Sequence, residues 1–275
     1  MATPAPPASG RAWVWPWRPG DRVGRAAFRC AVAADPVVSG RWWPAAAVAA
    51  GAVPLLAGYA AGSGLHQPVA AVLLAPLFLA CLARDRLGRA VAVVAVAFGA
   101  HSALAIVLSA RDPVGAAAVL PGAAAYWERT WLWVATGRDV EYRWTTWAPA
   151  HALLLVGVPA SAYTSFGVIP FAYGFEQVDL MNYYVGRLAA VSESPVRAVV
   201  LGWHPWSVLR GLAYTVLVFE VASWSLERLS GRPRSTSRRR AGRWAVGIGL
   251  ALADAAVKLA LAPVVREQLF ANLAA

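Results

Sequence analysis

The sequence predicts an all-α, polytopic bundle of transmembrane helices, and three observations lead to this class. Hydrophobic residues make up 59% of the 275-residue chain, and its mean hydropathy is +0.52. That is more apolar surface than a soluble domain of this length can bury. Membrane-length apolar stretches recur along the chain. Finally, an arginine-rich segment at 227–243 separates two of these stretches.

The arginine-rich segment predicts the orientation of the chain. Between Arg228 and Arg243 it contains seven arginines and no acidic residue. Because loops rich in lysine and arginine stay on the cytoplasmic side of a membrane, this loop is predicted to be cytoplasmic. We therefore predict a multi-pass protein of the cytoplasmic (inner) membrane with a cytoplasmic N-terminus. The same rule accounts for the net charge of +11 without a nucleic-acid partner.

Residues 1–43 form a basic, tryptophan-rich tail. Within it, Arg22, Arg25 and Arg29 recur at helical spacing opposite small apolar residues, and Asp35-Pro36 is predicted to end this helix. Two interpretations stay open. The helix lies on the anionic lipid of the cytoplasmic leaflet, or it is a solvated helix in front of the first span.

Seven spans are predicted, at 44–62, 68–83, 90–110, 113–135, 148–172, 207–226 and 244–265. The segments 113–135 and 148–172 are the weakest, since Glu128 and Arg129 lie in the first and three prolines interrupt the second. An even number of spans must precede a cytoplasmic loop, so both segments cross or neither does. The alternative is five spans with an interfacial helix at 125–135 and a re-entrant hairpin whose tip is 159–165.

The segment 175–191 is predicted to be an amphipathic helix on the outer surface. Val178, Met181, Val185 and Leu188 recur at three- and four-residue steps, whereas Glu176, Asp179, Asn182 and Arg187 occupy other faces. The last residues, 266–275, form a polar C-terminal tail.

Motifs for cofactor or metal chemistry are missing from the sequence. Cys30 and Cys81 are far apart and form no C-x-x-C pair, and neither a zinc-protease helix, a nucleophile elbow nor a phosphate loop occurs. We therefore predict no cofactor and no metal. The sequence leaves open whether the protein is an enzyme.

The candidate site consists of ionisable residues deep in the predicted spans: His101, Glu220, Asp254 and Lys258. Such residues usually face protein or water, because exposing them to lipid is costly. Lys258 follows Asp254 by one helical turn, so the two are predicted to lie on the same helix face. They form either a neutralised structural pair or part of a polar site. His66 and His204 are assigned to the outer interface, where they need no special role.

Two functional classes remain. The favoured one is a non-enzymatic membrane component, either a small permease or a partner in a membrane-protein assembly, in which the deep charges line a solute or proton path. The other is a membrane-embedded enzyme that acts on a lipid or lipid-linked substrate at the outer interface, where Glu176, Asp179, His151 and His204 would meet a headgroup.

Overall fold

The structure is a computed structural model that describes residues 22–138, 144–230 and 235–273. The start of the predicted N-terminal tail, part of the arginine-rich loop and the last two residues lie outside these ranges. The described residues form helices and no β-strand. In chain order the helices are α1 (Arg22–Ser39), α2 (Trp43–Ala61), α3 (His66–Ala83), α4 (Leu87–Arg111), α5 (Pro113–Val119), α6 (Ala123–Thr136), α7 (Trp144–Ser165), α8 (Val168–Ala190), α9 (Pro195–Gly202), α10 (Pro205–Ser230) and α11 (Ser237–Phe270).

Five of the described helices are long and apolar enough to cross a membrane: α2, α3, α4, α10 and α11. Large apolar side chains such as Val53, Val72 and Leu252 are about half exposed or more on them, as helices in contact with lipid require. The chain is therefore an all-helical protein of the multi-pass membrane class. The predicted count of seven spans is not confirmed.

The predicted span 113–135 is two short helices rather than one long one. Leu120-Pro121-Gly122 separates α5 from α6, and Gly122 has a φ of 78°, a left-handed conformation that favours glycine. Helix α6 has 14 residues, which gives a length of about 21 Å, against about 30 Å for the hydrocarbon core of a bilayer. This segment therefore does not cross a membrane as a single helix.

The predicted span 148–172 is interrupted at Phe166 and Gly167, both of which have positive φ. Helices α7 and α8 form a helical hairpin around this turn, just after the predicted re-entrant tip at 159–165. Tyr163 contacts Trp224 of α10, and Phe171 packs against Phe78 of α3. Trp224 and Phe78 lie six and five residues from the ends of their helices, so the hairpin reaches through most of the bundle.

One end of the bundle, which we call the arginine-rich end, is held by ion pairs between the α3–α4 connection and the helices α1 and α11. Asp85 in the α3–α4 connection accepts hydrogen bonds from Arg239 and Arg243 of α11, at 2.9 and 2.6 Å. Arg84 binds Asp35 of α1 at 2.7 Å. These bonds bring the connections α1–α2, α3–α4 and α10–α11 to the same end.

Helix α1 packs against α3, and its course differs from the prediction. It continues through Pro36 to Ser39 instead of ending at Asp35-Pro36. The buried stripe is Ala27, Ala31, Ala34 and Val38, at steps of three or four residues, while Cys30 is exposed. Small side chains allow close packing of helices, so this apolar face is covered by protein.

The predicted outer amphipathic helix lies in the second half of α8, where Glu176 is exposed but Asp179 and Asn182 are buried inside the bundle. Asp179 and Asn182 are 1% and 0% exposed, because α8 packs between α3 and α4. Gly186 permits this packing, since a Cβ there would lie 2.5 Å from the Ile106 carbonyl oxygen. Gly51 allows an equally close approach of α2 to α4, because its Cβ would lie 2.0 Å from the Ala97 carbonyl oxygen.

Candidate functional site

The carboxylate of Asp179 is the centre of a buried polar cluster. His101 Nε2 lies 2.6 Å from Asp179 Oδ1, and His66 Nε2 lies 2.8 Å from Oδ2. Gln67 Nε2 donates a second hydrogen bond to Oδ2, also at 2.8 Å. The side chains of both histidines are completely buried. We call His66, His101 and Asp179, with Gln67, the His–Asp centre.

Three helices position the centre. His66 and Gln67 open α3, His101 lies ten residues before the end of α4, and Asp179 is near the middle of α8. At 1.5 Å per residue, the centre therefore lies about 15 Å below the end of α4, in the half of the bundle away from the arginine-rich end.

Helix α2 orients His101 through its backbone. His101 Nδ1 lies 3.0 Å from the carbonyl oxygen of Gly51. A carbonyl oxygen only accepts hydrogen bonds, so Nδ1 carries the hydrogen and donates it. In a neutral imidazole, Nε2 is then an acceptor. Since Nε2 faces a carboxylate oxygen at 2.6 Å, a proton or another cation is required between these two atoms.

A second group of polar side chains continues the cluster one turn further along α8. Asn182 Nδ2 donates to Ser102 Oγ at 3.1 Å, and Trp203 Nε1 donates to Asn182 Oδ1 at 3.1 Å. Asn182 follows Asp179 by three residues and Ser102 follows His101 directly. The two groups therefore form one polar layer between α4 and α8.

Apolar residues surround the polar layer. Phe175 packs on His101 with ring centroids 4.9 Å apart and stacks on Phe98 at 4.2 Å. Toward the opposite end of the bundle, α5 covers the layer with a buried cluster that includes Leu55, Ala116 and Tyr183. The side chains of the centre are thus enclosed in this conformation.

The other predicted deep charges do not join the His–Asp centre. Glu220 lies 2.9 Å from Arg240 and 3.4 Å from Arg243, in the arginine network at the start of α11. Asp254 binds Arg210 of α10, with Nε–Oδ2 and Nη2–Oδ1 distances of 3.0 and 3.1 Å. Because α10 and α11 are antiparallel, these two pairs are about 15 Å apart along the helices.

The predicted pairing of Asp254 with Lys258 is therefore corrected, since Arg210 is the described salt-bridge partner of Asp254. Lys258 is 4% exposed, and its Nζ lies 5.1 Å from the ring centroid of Trp147. It lines a cavity of about 310 Å³ with Trp133 and Arg266, among others. Glu220 and His101 thus lie apart from Asp254 and Lys258, which are one turn apart on α11.

The four groups of the enzyme hypothesis share no described hydrogen bond with one another. His151 Nδ1 binds the carbonyl oxygen of Trp147, and Glu176 is exposed. His204, assigned to the interface, is instead 2% exposed and stacks on Trp206 at 4.3 Å. Burial and the positive charges of Lys258 and Arg210 lower the pKa of His204 to about 3, so it is a neutral packing group at physiological pH.

The sequence analysis places His101 deep in the bundle, but it assigns His66 to the outer interface and Asp179 to an outer-surface helix instead of joining them to His101. His66 and His101 are 35 positions apart along the chain, and His101 and Asp179 are 78 positions apart. No spacing rule therefore connects them. A usable signal was the polar pair Asp179 and Asn182 at a step of three residues, which places both on one helix face.

The chain matches no protein-family model, no curated protein and no solved structure. Its helices are typical of the general class of multi-pass membrane proteins.

Proposed function

We propose that this protein is a small, non-enzymatic permease of the cytoplasmic membrane and that the His–Asp centre is its solute-binding site. One observation carries the proposal: Asp179 is bonded by side chains from two other helices deep inside a bundle of membrane-length helices. Ionisable groups are rare at such depth, and those that occur commonly mark substrate or ion pathways.

The surrounding structure supports a binding site over a purely structural cluster. A structural contact between α4 and α8 needs only the close packing at Gly186 and the bond between Ser102 and Asn182. The centre adds two histidines and a carboxylate, whose desolvation is costly. These groups also join the helices α3, α4 and α8, with α2 attached through Gly51, so a rearrangement of any one helix changes the site.

The enzyme hypothesis receives less support. It requires Glu176, Asp179, His151 and His204 to face one substrate at the outer interface. Asp179 is bound to His66 and His101 instead, and His204 is packed among aromatic rings.

The orientation is part of the proposal. The arginine-rich end would face the cytoplasm, because its loops contain most of the arginines in the second half of the chain. The His–Asp centre would then lie in the outer half of the bilayer. Anionic lipid of the inner leaflet would contact the exposed Arg238 and Arg239.

A cysteine-accessibility experiment tests the permease proposal without knowledge of the solute. Ser102 is 7% exposed and touches Asn182 in the polar layer. We expect Ser102→Cys, in a Cys30→Ser, Cys81→Ala background, to react with a membrane-impermeant thiol reagent added to intact cells, because a permease opens its site to one side of the membrane.

Ser223→Cys is the matched control. Ser223 is 2% exposed in α10 and lies outside the polar layer, so it should react only after denaturation in detergent. Equal protection of Ser102→Cys and Ser223→Cys in native membranes, with equal reaction after denaturation, would mean that the layer is sealed and that the permease proposal is wrong.

A further inference from the structure

We propose that the solute of the His–Asp centre is a divalent transition-metal ion, held by His66 Nε2, His101 Nε2 and the carboxylate of Asp179. This inference rests on the proposed permease function and names the chemical class of its solute. Zn²⁺ is the reference ion, because two imidazoles and one carboxylate form a common ligand set for zinc with an open coordination position.

The donor atoms already converge. One ligand atom from each of the three residues lies within 4.8 Å of the other two, and all three residues are buried. They come from α3, α4 and α8, which pack against each other, and Gly186 brings α8 especially close to α4. Among the described residues, this is the only group of three or more histidine, cysteine or acidic residues whose ligand atoms converge in this way.

The second ring nitrogen of His101 is bonded as it is in metal sites. Metal-binding histidines commonly donate their other N–H to a backbone carbonyl, which fixes the tautomer and directs the lone pair at the ion. His101 Nδ1 makes this bond with Gly51 at 3.0 Å. Its Nε2 lone pair is then directed at Asp179 Oδ1, which is also an acceptor. A cation bound by both atoms removes this conflict.

The carboxylate has an outer-shell partner as well. Gln67 Nε2 donates to Asp179 Oδ2 at 2.8 Å, and hydrogen bonds to a ligating carboxylate fix its orientation. Gln67 has no ionisable group, so it stabilises the position of the carboxylate without adding a charge that would repel a cation.

The observed distances define what loading the ion requires. The two nitrogen–oxygen distances, 2.6 and 2.8 Å, are those of direct hydrogen bonds. Two ligands on one tetrahedral Zn²⁺ are about 3.3 Å apart, given bond lengths of about 2.0–2.1 Å. The ligands therefore have to separate by about 0.5–0.7 Å to hold the ion.

The experiment uses the full chain, purified in a neutral detergent and washed with a chelator. Co²⁺ is titrated first, because its visible absorption reports coordination by protein ligands, and Zn²⁺ is then added in competition. We expect a single Co²⁺ per chain with the spectrum of a tetrahedral or five-coordinate site, displaced by Zn²⁺. His101→Gln and Asp179→Asn should weaken binding by about 100-fold or more, and Gln67→Met by about 10- to 100-fold.

His204→Phe is the matched control, because His204 is equally buried but lies outside the centre. It should bind Co²⁺ like the wild type. If a ligand variant does not fold, X-ray absorption of the Zn²⁺-loaded wild type replaces it and should show nitrogen and oxygen ligands with imidazole scattering and no sulfur.

Absence of Co²⁺, Zn²⁺ and Mn²⁺ binding by folded wild type, or equal binding by Asp179→Asn, would overturn the metal proposal. The permease proposal is judged separately. Labelling of Ser102→Cys without metal binding would leave a permease for another solute, whereas metal binding without labelling would contradict transport and identify a resident ion.

Discussion

At the scale of single residues, the buried acidic side chains Glu220, Asp254 and Asp179 each lie next to a basic group or a histidine. Glu220 is next to arginines, Asp254 is next to Arg210, and Asp179 is next to two histidines. The depth of Glu220 and Asp254 was predictable, since ionisable residues stand out in apolar spans, whereas Asp179 was assigned to the outer surface. The partners were not predictable, because each of them lies on another helix and depends on how the helices pack.

The pair of Asp254 and Arg210 is predicted to stabilise the contact between α10 and α11. Asp254→Asn or Arg210→Met alone should lower the free energy of unfolding by about 1–3 kcal/mol, since each leaves one charge without its partner. The double variant should recover most of this loss. Unfolding experiments in detergent micelles measure the free energy of unfolding of each variant. Recovery by Asp254→Asn with Lys258→Met, but not with Arg210→Met, would show that Lys258 is the true partner.

His204 is predicted to make stability fall in acid. Its folded-state pKa is about 3, whereas an unfolded histidine titrates near 6.5. The unfolded state therefore gains a proton that the folded state does not, and stability is lost as the pH falls from about 6.5 toward 3, by roughly 1 kcal/mol per pH unit. His204→Phe should flatten the melting temperature between pH 6.5 and 4.5. An equal pH dependence of the melting temperature in the variant and the wild type would contradict this prediction.

At the scale of helices, α8 shows where sequence reasoning failed. Glu176, Asp179 and Arg187 reduce its hydropathy, so the pattern indicates a helix in contact with water. The structure buries Asp179 and Asn182 because α3 and α4 supply hydrogen-bond partners at matching depth. An amphipathic pattern identifies two different faces of a helix, but it does not tell whether the polar face meets water or other polar residues.

Gly51 is predicted to be essential for the contact between α2 and α4. Gly51→Ala would place a Cβ 2.0 Å from the Ala97 carbonyl oxygen, so the helices must separate, at a cost of about 1–3 kcal/mol. Gly99→Ala on α4 is the control, since no neighbouring atom lies within 4 Å of its Cβ. It should be neutral or stabilise by up to about 1 kcal/mol. Thermal unfolding in detergent micelles compares the stability of the two variants. Equal destabilisation by Gly51→Ala and Gly99→Ala would contradict the close approach of α2 to α4.

At the scale of the whole molecule, hydropathy predicted the five helices α2, α3, α4, α10 and α11, because each is a nearly continuous apolar run of membrane length. It did not predict the break at Leu120-Pro121-Gly122 or the turn at Phe166 and Gly167. Both breaks depend on left-handed residues and on neighbouring helices that cover the ends. The His–Asp centre depends on α2, α3, α4 and α8, since it forms only when α8 lies inside the bundle.

The position of α8 inside the bundle is the central claim, and a disulfide cross-link tests it most directly. Ser102 and Asn182 are hydrogen-bonded across α4 and α8, so Ser102→Cys with Asn182→Cys, in a Cys30→Ser, Cys81→Ala background, should form a disulfide on mild oxidation in native membranes. Ser102→Cys with Gln177→Cys should not, because Gln177 lies on the exposed face of α8. A cross-link in the Asn182→Cys pair but not in the Gln177→Cys pair agrees with the structure. No cross-link in the Asn182→Cys pair, or equal cross-linking in both pairs, would contradict a buried α8 and the centre built on it.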